Sequence, residues 1–135
     1  MNFIFVSICI LIKKNKILVT QRPANKYFGK FWEFPGGKLG KNETFEEAIK
    51  RELFEELDII VDIKNLKNLD IVIHSYDKKS YIIMNLFCLH KWKGTIKNKD
   101  TQNYLWISKT GPFPNKFLNG GLLILKRLKN RYYKL

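Results

Sequence analysis

"FPGGKLGKNETFEEAIKRELFEELDI", residues 34–59, holds six of the seven glutamates of a chain whose formal net charge is +13. The seventh, Glu33, directly precedes it. The stretch opens on a Pro-Gly-Gly break and then takes on helical spacing. Thr44 can cap a helix, with Glu47 three residues later completing a capping box. Phe45, Ile49, Leu53 and Leu57 recur as one apolar stripe. Glu52, Glu55 and Glu56 fall within an arc of about 100° on an adjacent face. Like charges at this spacing repel by a few tenths of a kcal/mol per pair, roughly. Pairs from Arg51 to Glu55 and to Glu47 offset part of that. Carboxylates gathered this way are the hard oxygen donors that Mg²⁺ or Mn²⁺ takes. A solvated acidic helix face has the same local composition, so "RELFEEL" by itself leaves both readings open.

Outward from this helix, the chain reads as alternating apolar runs and turns. Phe3–Ile12 and Ile17–Arg22 are strands of a hairpin closed by "KKNK". Pro23–Phe31 is a loop, and Trp32–Phe34 is a short apolar piece that "PGG" breaks. Beyond the helix, Leu69–Tyr76 and Ser80–Trp92 form a long hairpin rich in β-formers. Lys93–Asn103 is a polar loop, Tyr104–Ser108 a last strand, and Leu122–Asn130 an amphipathic helix. The expected fold is α+β: a mixed sheet flanked by one helix within the strand order and one at the end.

The length of 135 residues fits one domain, 1–135. With 45% hydrophobic residues, a packed core is expected rather than disorder. Cys9 and Cys88 have neither disulfide-framework nor zinc spacing and read as core residues. The apolar start "MNFIFVSICILIKK" lacks a basic lead and a cleavage site, and it is too short to span a membrane, so a buried strand in a soluble, cytoplasmic protein is expected. The charge favours acidic partners such as nucleotides, nucleic acid or an anionic membrane surface, although the lysines are spread along the chain rather than clustered.

The spacing Gly37, Glu43, Arg51-Glu52-Leu53, Glu55-Glu56, Ile59 closely resembles the Nudix box, G-x5-E-x7-R-E-U-x-E-E-x-G-U, with U a bulky apolar residue. Asp58 stands where the pattern has its second glycine. That glycine ends the helix in a left-handed conformation, which aspartate tolerates better than most residues, so a small stability cost is expected. The flanking "QRP...KFWEFPGGK", the "WKGTIKNKDTQNYLWIS" segment and the ending "FPNKFLNGGLLILKRL" are similar to the MutT branch, the 8-oxo-dGTP diphosphatases.

This resemblance implies an α/β/α sandwich, the Nudix fold, and hydrolysis of 8-oxo-dGTP to 8-oxo-dGMP and pyrophosphate with Mg²⁺, or Mn²⁺, as cofactor. Another diphosphate substrate is the alternative: a dinucleoside polyphosphate, an RNA 5′ end or a nucleotide sugar. By position, the Gly36 carbonyl and Glu52, Glu55 and Glu56 would bind the metal. Arg51 would orient a box glutamate, and Glu43 would support the loop-helix geometry. Asp100 stands where the branch carries a loop glutamate that could act on the attacking water. Arg22, Tyr27, Glu33, Phe34, Pro35 and Gly36 would line the nucleotide. Asn119 would read the base if two residues are inserted after Pro114, with Asn115 as its competitor. His74 and His90 receive no catalytic role. The implied partner is the substrate alone, with a monomer and no stable nucleic-acid partner or membrane.

Overall fold

The computed structural model describes residues 1–75, 77–100 and 103–131. Its organising element is β1, Asn2–Lys13, which has neighbours on both sides. β6, Ser80–Leu89, runs parallel to it in continuous register from Asn2↔Ser80 to Leu11↔Leu89. On the other side its middle pairs antiparallel with β4, Gly36–Lys38, and its end with β2, Lys16–Gln21. A strand enclosed in this way is apolar on both faces, which is why "FIFVSICILI" reads as an unbroken run rather than an alternation. β5, Lys67–Ser75, pairs antiparallel with β6 and ends the path on that side. β2 pairs with β3, Trp32–Glu33, and with β7, Asn103–Ser108. The β1–β2 turn places Lys14 and Asn15 at φ 52° and 63°, the left-handed pair that matches strand twist in a tight hairpin.

Alternate residues of these strands feed two cores. Ile10, Ile12, Ile17, Val19, Leu86 and Cys88 meet Ile124, Leu125 and Leu128 of α2, Asn119–Arg131. Cys9, Leu11, Leu18, Phe87 and Leu89 meet Ile49, Leu53 and Leu57 of α1, Phe45–Leu57. The sheet thus lies between the two helices, the expected α/β/α sandwich. The two cysteines are free and buried in different cores. Among the described residues, no helix is long and apolar enough to cross a membrane.

Four local readings change. Gly36–Lys38 forms a strand on β1 rather than only a break, because the absence of a side chain at Gly36 allows close backbone approach. Glu47 pairs with the Thr44 hydroxyl at 3.1 Å instead of with Arg51, whose guanidinium is committed to other acceptors. α2 begins at Asn119, three residues before the predicted Leu122, and the Phe117 ring packs where a side chain at Gly121 would stand. A short 3-10 turn at Ile63–Asn65, capped by the Asp62 carboxylate, was not read from the sequence. Tyr76, at the end of the strand expected over Leu69–Tyr76, lies outside the described residues, as does Gln102 of the MutT-like segment.

Thr44 caps α1 as expected, accepting from the Glu47 N–H at 3.1 Å. At the other end Asp58 adopts φ 62° and ψ 31°, the left-handed conformation expected of the box glycine. Its N–H closes the last turn on the Phe54 carbonyl, and its carboxylate meets Lys99 at 3.5 Å, an exposed pair of small worth. Glycine adopts this conformation without the Cβ penalty, so Asp58→Gly raises stability by up to about 1 kcal/mol, read from urea denaturation, with no loss of helix content by circular dichroism.

Candidate active site

Two adjacent glycines bring the α1 carboxylates onto the sheet. Gly36 has φ 150°, and a Cβ there would stand 2.1 Å from the Ser7 carbonyl oxygen. A Cβ on Gly37 would stand 2.5 Å from the Glu52 carboxylate. The Gly36 N–H donates to Glu56 Oε2 at 3.3 Å. Pro35 fixes the approach, its carbonyl accepting from the Cys9 N–H at 3.0 Å. The Ser7 hydroxyl, fully buried, donates to the Phe45 carbonyl at 2.7 Å and ties β1 to the start of α1.

Arg51 organises the acidic face. Its Nε and Nη2 grip Glu43 at 2.7 and 2.8 Å, the two-point geometry that suits guanidinium and carboxylate. Nη1 donates to Glu52 at 2.8 Å and to Glu55 at 3.2 Å, and Nη2 also reaches the Lys38 carbonyl at 3.0 Å. The Arg51–Glu55 pair is the one expected from the helical spacing. Glu43 additionally accepts from the Gly40 N–H at 2.6 Å. The Arg51 hydrogen bond, then that of Gly40, holds the Glu43 carboxyl down at about 2. Glu52 shifts the other way: burial raises it, against the lowering effect of Arg51.

Glu56 stands at the inner end of this face. Burial pushes its carboxyl well above the usual range, and the negative charges of Glu33, Glu52 and Asp100 push it further. Asp100 is exposed, on the loop after β6. That loop is strapped to α1 by Lys97 and Lys99, whose N–H groups donate to the Leu57 and Glu56 carbonyls at 2.9 Å. These carbonyls belong to the last turn of the helix, where no intrahelical donor reaches them. The strap is what brings Asp100 within charge range of Glu56.

From Glu56 a cleft of about 750 Å³ runs over the α2 side of the sheet. Arg22, Tyr27, Glu33, Phe34 and Gly36 line it, and Pro35 does not. Arg22 pairs with Glu33 at 3.2 Å and its Nε donates to the Tyr27 carbonyl at 2.8 Å, holding the loop over the cleft. Burial raises Glu33, and Arg22 partly opposes the shift. Phe34 is buried edge-on to Phe117, ring centroids 5.6 Å apart. Neither asparagine lines the cleft: Asn119 is exposed on the first turn of α2, between the lining residues Leu118 and Gly120, and Asn115 is exposed in the preceding segment.

The sequence reading missed the far wall: Ile82, Met84, Leu118 and the Gly120–Gly121 pair. Strand alternation held part of that signal, since Ile8, Ile82 and Met84 share parity with the strand residues of the α2-side core.

A divalent cation fits this donor set chemically. Among the described residues no cationic side chain pairs with Glu56, which is desolvated among other carboxylates and accepts one backbone N–H. Glu52, Glu55 and Glu56, with the Gly36 carbonyl, are the oxygen donors that could hold such an ion. As arranged, with Glu52 and Glu55 engaged by Arg51, no three acidic, histidine or cysteine side chains among the described residues converge into a closed metal site.

The NUDIX domain model matches residues 2–113. The chain belongs to the NUDIX family. An 8-oxo-dGTP diphosphatase of Proteus vulgaris is 41% identical over 87 residues, covering 64% of this chain and 75% of that protein. A second protein so named, from Buchnera aphidicola of Schizaphis graminum, is 37% identical over 107 residues, 79% of this chain and 78% of its own length. The crystal structure of a MutT NUDIX hydrolase from Burkholderia pseudomallei superposes with a TM-score of 0.82 at 19% identity, covering 95% of this chain and 99% of that one, a likeness of fold. The Nudix box is therefore the set of contacts just described: Gly37 against Glu52, Glu43 and Arg51 as a clamp, and Glu56 on the Gly36 N–H.

Because folding lowers the Glu43 pKa from its ordinary 4.5 to about 2, this group stabilises the Nudix fold fully above pH 4.5 and loses its contribution as pH falls toward 2. The urea midpoint of Glu43→Gln is expected below wild type at pH 7, with the two converging on acidification. At Gly37 the obstructing atoms are the end of a flexible side chain and the backbone is not left-handed, so Gly37→Ala displaces the Glu52 carboxylate without unfolding. Turnover is expected to fall about 10- to 100-fold with the melting temperature nearly unchanged.

Proposed function

We propose that this Nudix hydrolase, a single domain over residues 1–135, converts oxidised nucleoside triphosphates to monophosphates and pyrophosphate, with 8-oxo-dGTP as the favoured substrate and Mg²⁺ as the working metal. Mn²⁺ would serve in its place. The observation that carries this reading is the continuity of the cleft. Glu56 and the Arg22, Phe34 and Gly120–Gly121 walls share this one cleft, so one nucleotide can place its phosphates and its base together. Two relatives named 8-oxo-dGTP diphosphatase support the substrate class.

Held by Glu52, Glu55, Glu56 and the Gly36 carbonyl, the cation would neutralise the phosphate chain and acidify water. The protein's own groups then divide the remaining work. Arg51 keeps Glu52 and Glu55 from rotating away, through its anchor on Glu43 and the Lys38 carbonyl. One of the box glutamates, or Asp100 from the loop, would take the proton of the attacking water. Asp100 supports the negative field from the loop. Water oxygen bonds to the β-phosphorus, the bridging P–O bond breaks, and pyrophosphate and the monophosphate leave. Arg22, Tyr27 and Phe34 hold the nucleoside, and Asn119, which can donate and accept at once, reads the oxidised edge of the base.

Turnover of 8-oxo-dGTP is expected to exceed that of dGTP in a panel of nucleotides, dinucleoside polyphosphates and nucleotide sugars; equal rates for the two guanine nucleotides would remove the specificity. Glu56→Gln is expected to lose at least about a hundredfold in kcat, beyond the effect usual for groups one shell removed from a metal, while its circular dichroism spectrum stays native. Retained activity would refute the metal assignment.

A further inference from the structure

Across the sheet from the catalytic cleft, and sharing no lining residue with it, lie two neighbouring hollows of about 660 and 190 Å³. Trp92 lines both. Lys50, Lys91 and Lys93 border the larger, and Lys13 and Trp106 border the smaller. All four lysines are exposed, and among the described residues none makes a salt bridge. The one acid of the larger hollow, Asp62, is engaged by Lys64 at 3.5 Å and by the N–H of that residue at 3.1 Å, and it lies within charge range of Lys50 as well. The indoles of Trp92 and Trp106 stack at 6.3 Å and 15°, half-buried on the α1-side core, so their inner faces are fixed and their remaining surface is solvent-facing.

We infer that this face is a second binding site, one that takes single-stranded nucleic acid. Rigid aromatic surface is what an unpaired base stacks on, whatever its identity, and exposed lysines on both sides of it are what the flanking phosphates require. One mononucleotide would engage cations on one side only, whereas a strand crossing Trp92 meets Lys50, Lys91 and Lys93 before it and Lys13 after it. Two stacked tryptophans bordered by four exposed lysines, three of them with no acid beside them among the described residues that line the hollows, are more than a lysine-rich composition requires, since a solubilising charge has no need of aromatic surface. This assignment adds a partner that the MutT resemblance did not imply.

The test is fluorescence anisotropy of a labelled oligothymidylate of about twelve nucleotides, with the full chain and no divalent metal. Log affinity against log salt is expected to have a slope of about −3 for four phosphate contacts, at roughly 0.7 per contact. Lys91→Glu with Lys93→Glu should weaken binding at least about tenfold and flatten the slope by about 1.4, leaving 8-oxo-dGTP turnover unchanged. Trp92→Phe should lose most of the tryptophan quenching seen on binding. Lys78→Glu with Lys79→Glu makes the same charge change at the opposite end of β6 and should leave affinity within about threefold. Equal weakening by both lysine pairs would mean diffuse attraction to a cationic surface and would overturn the site. Displacement of the strand by 8-oxo-dGTP would move it to the catalytic cleft, and equally tight binding of a single nucleotide would overturn the strand assignment.

Discussion

Everything at the catalytic end depends on a backbone contact that tolerates no side chain. β4 lies on β1 because Gly36 can approach the Ser7 carbonyl to a distance at which any Cβ would collide with it. That pairing sets the start of the path into α1, and the Ser7 hydroxyl bond to the Phe45 carbonyl holds the same strand against the first turn of the helix. With strand and helix joined at these two points, Glu56 comes to the Gly36 N–H and Glu52 comes over Gly37. The carboxylates are therefore placed by a covalently short route from the sheet and do not rely on α1 packing alone.

The electrostatics of the face follow from an uneven distribution of one cation. Arg51 is shared among three glutamates, but its best geometry goes to Glu43, which does not line the cleft. Glu43 is strongly acidic as a result, while Glu52 receives a single bond and Glu56 none from a cationic side chain among the described residues. A gradient of proton affinity then runs along a short acidic stretch, from an anchor that is ionised at neutral pH to a buried group that is not easily ionised without a cation. Structural and chemical duties are separated by where the guanidinium points.

Much of this was legible in the sequence, for physical reasons that also mark what was not. The Thr44 cap, the apolar stripe of α1, the Arg51–Glu55 pair and the left-handed Asp58 are local: each depends on residues within about one turn, so spacing alone carries them. The β1–β2 hairpin is local for the same reason. What escaped is set by contacts distant in sequence. β4 pairs with a strand some thirty residues away, and Gly36 read as a turn-former because its steric reason lies on Ser7. Gly120 and Gly121 fell before the helix expected over Leu122–Asn130, whereas both lie in the first turn of α2, with the ring of Phe117 packed against the second. The Trp92 face was invisible for a related reason, since Lys13, Lys50 and Lys93 are far apart in the chain and meet only after folding.

The parallel pairing of β1 with β6 has a consequence for how the molecule is made. Its partners, from Asn2↔Ser80 onward, are separated by 78 residues, and a parallel ladder cannot be closed locally by a tight turn. During synthesis the most apolar strand emerges early, yet one whole edge of it stays unpaired until Ser80–Leu89 has been made. Loop-closure entropy delays such a ladder further, so folding is expected to be slow relative to a helical domain of this size. Over that interval Phe3–Ile12 presents the composition of an aggregation-prone segment. The strand that gives the finished protein its two cores is thus its main hazard before completion, and a dense lysine charge on the nascent chain would oppose self-association while it waits.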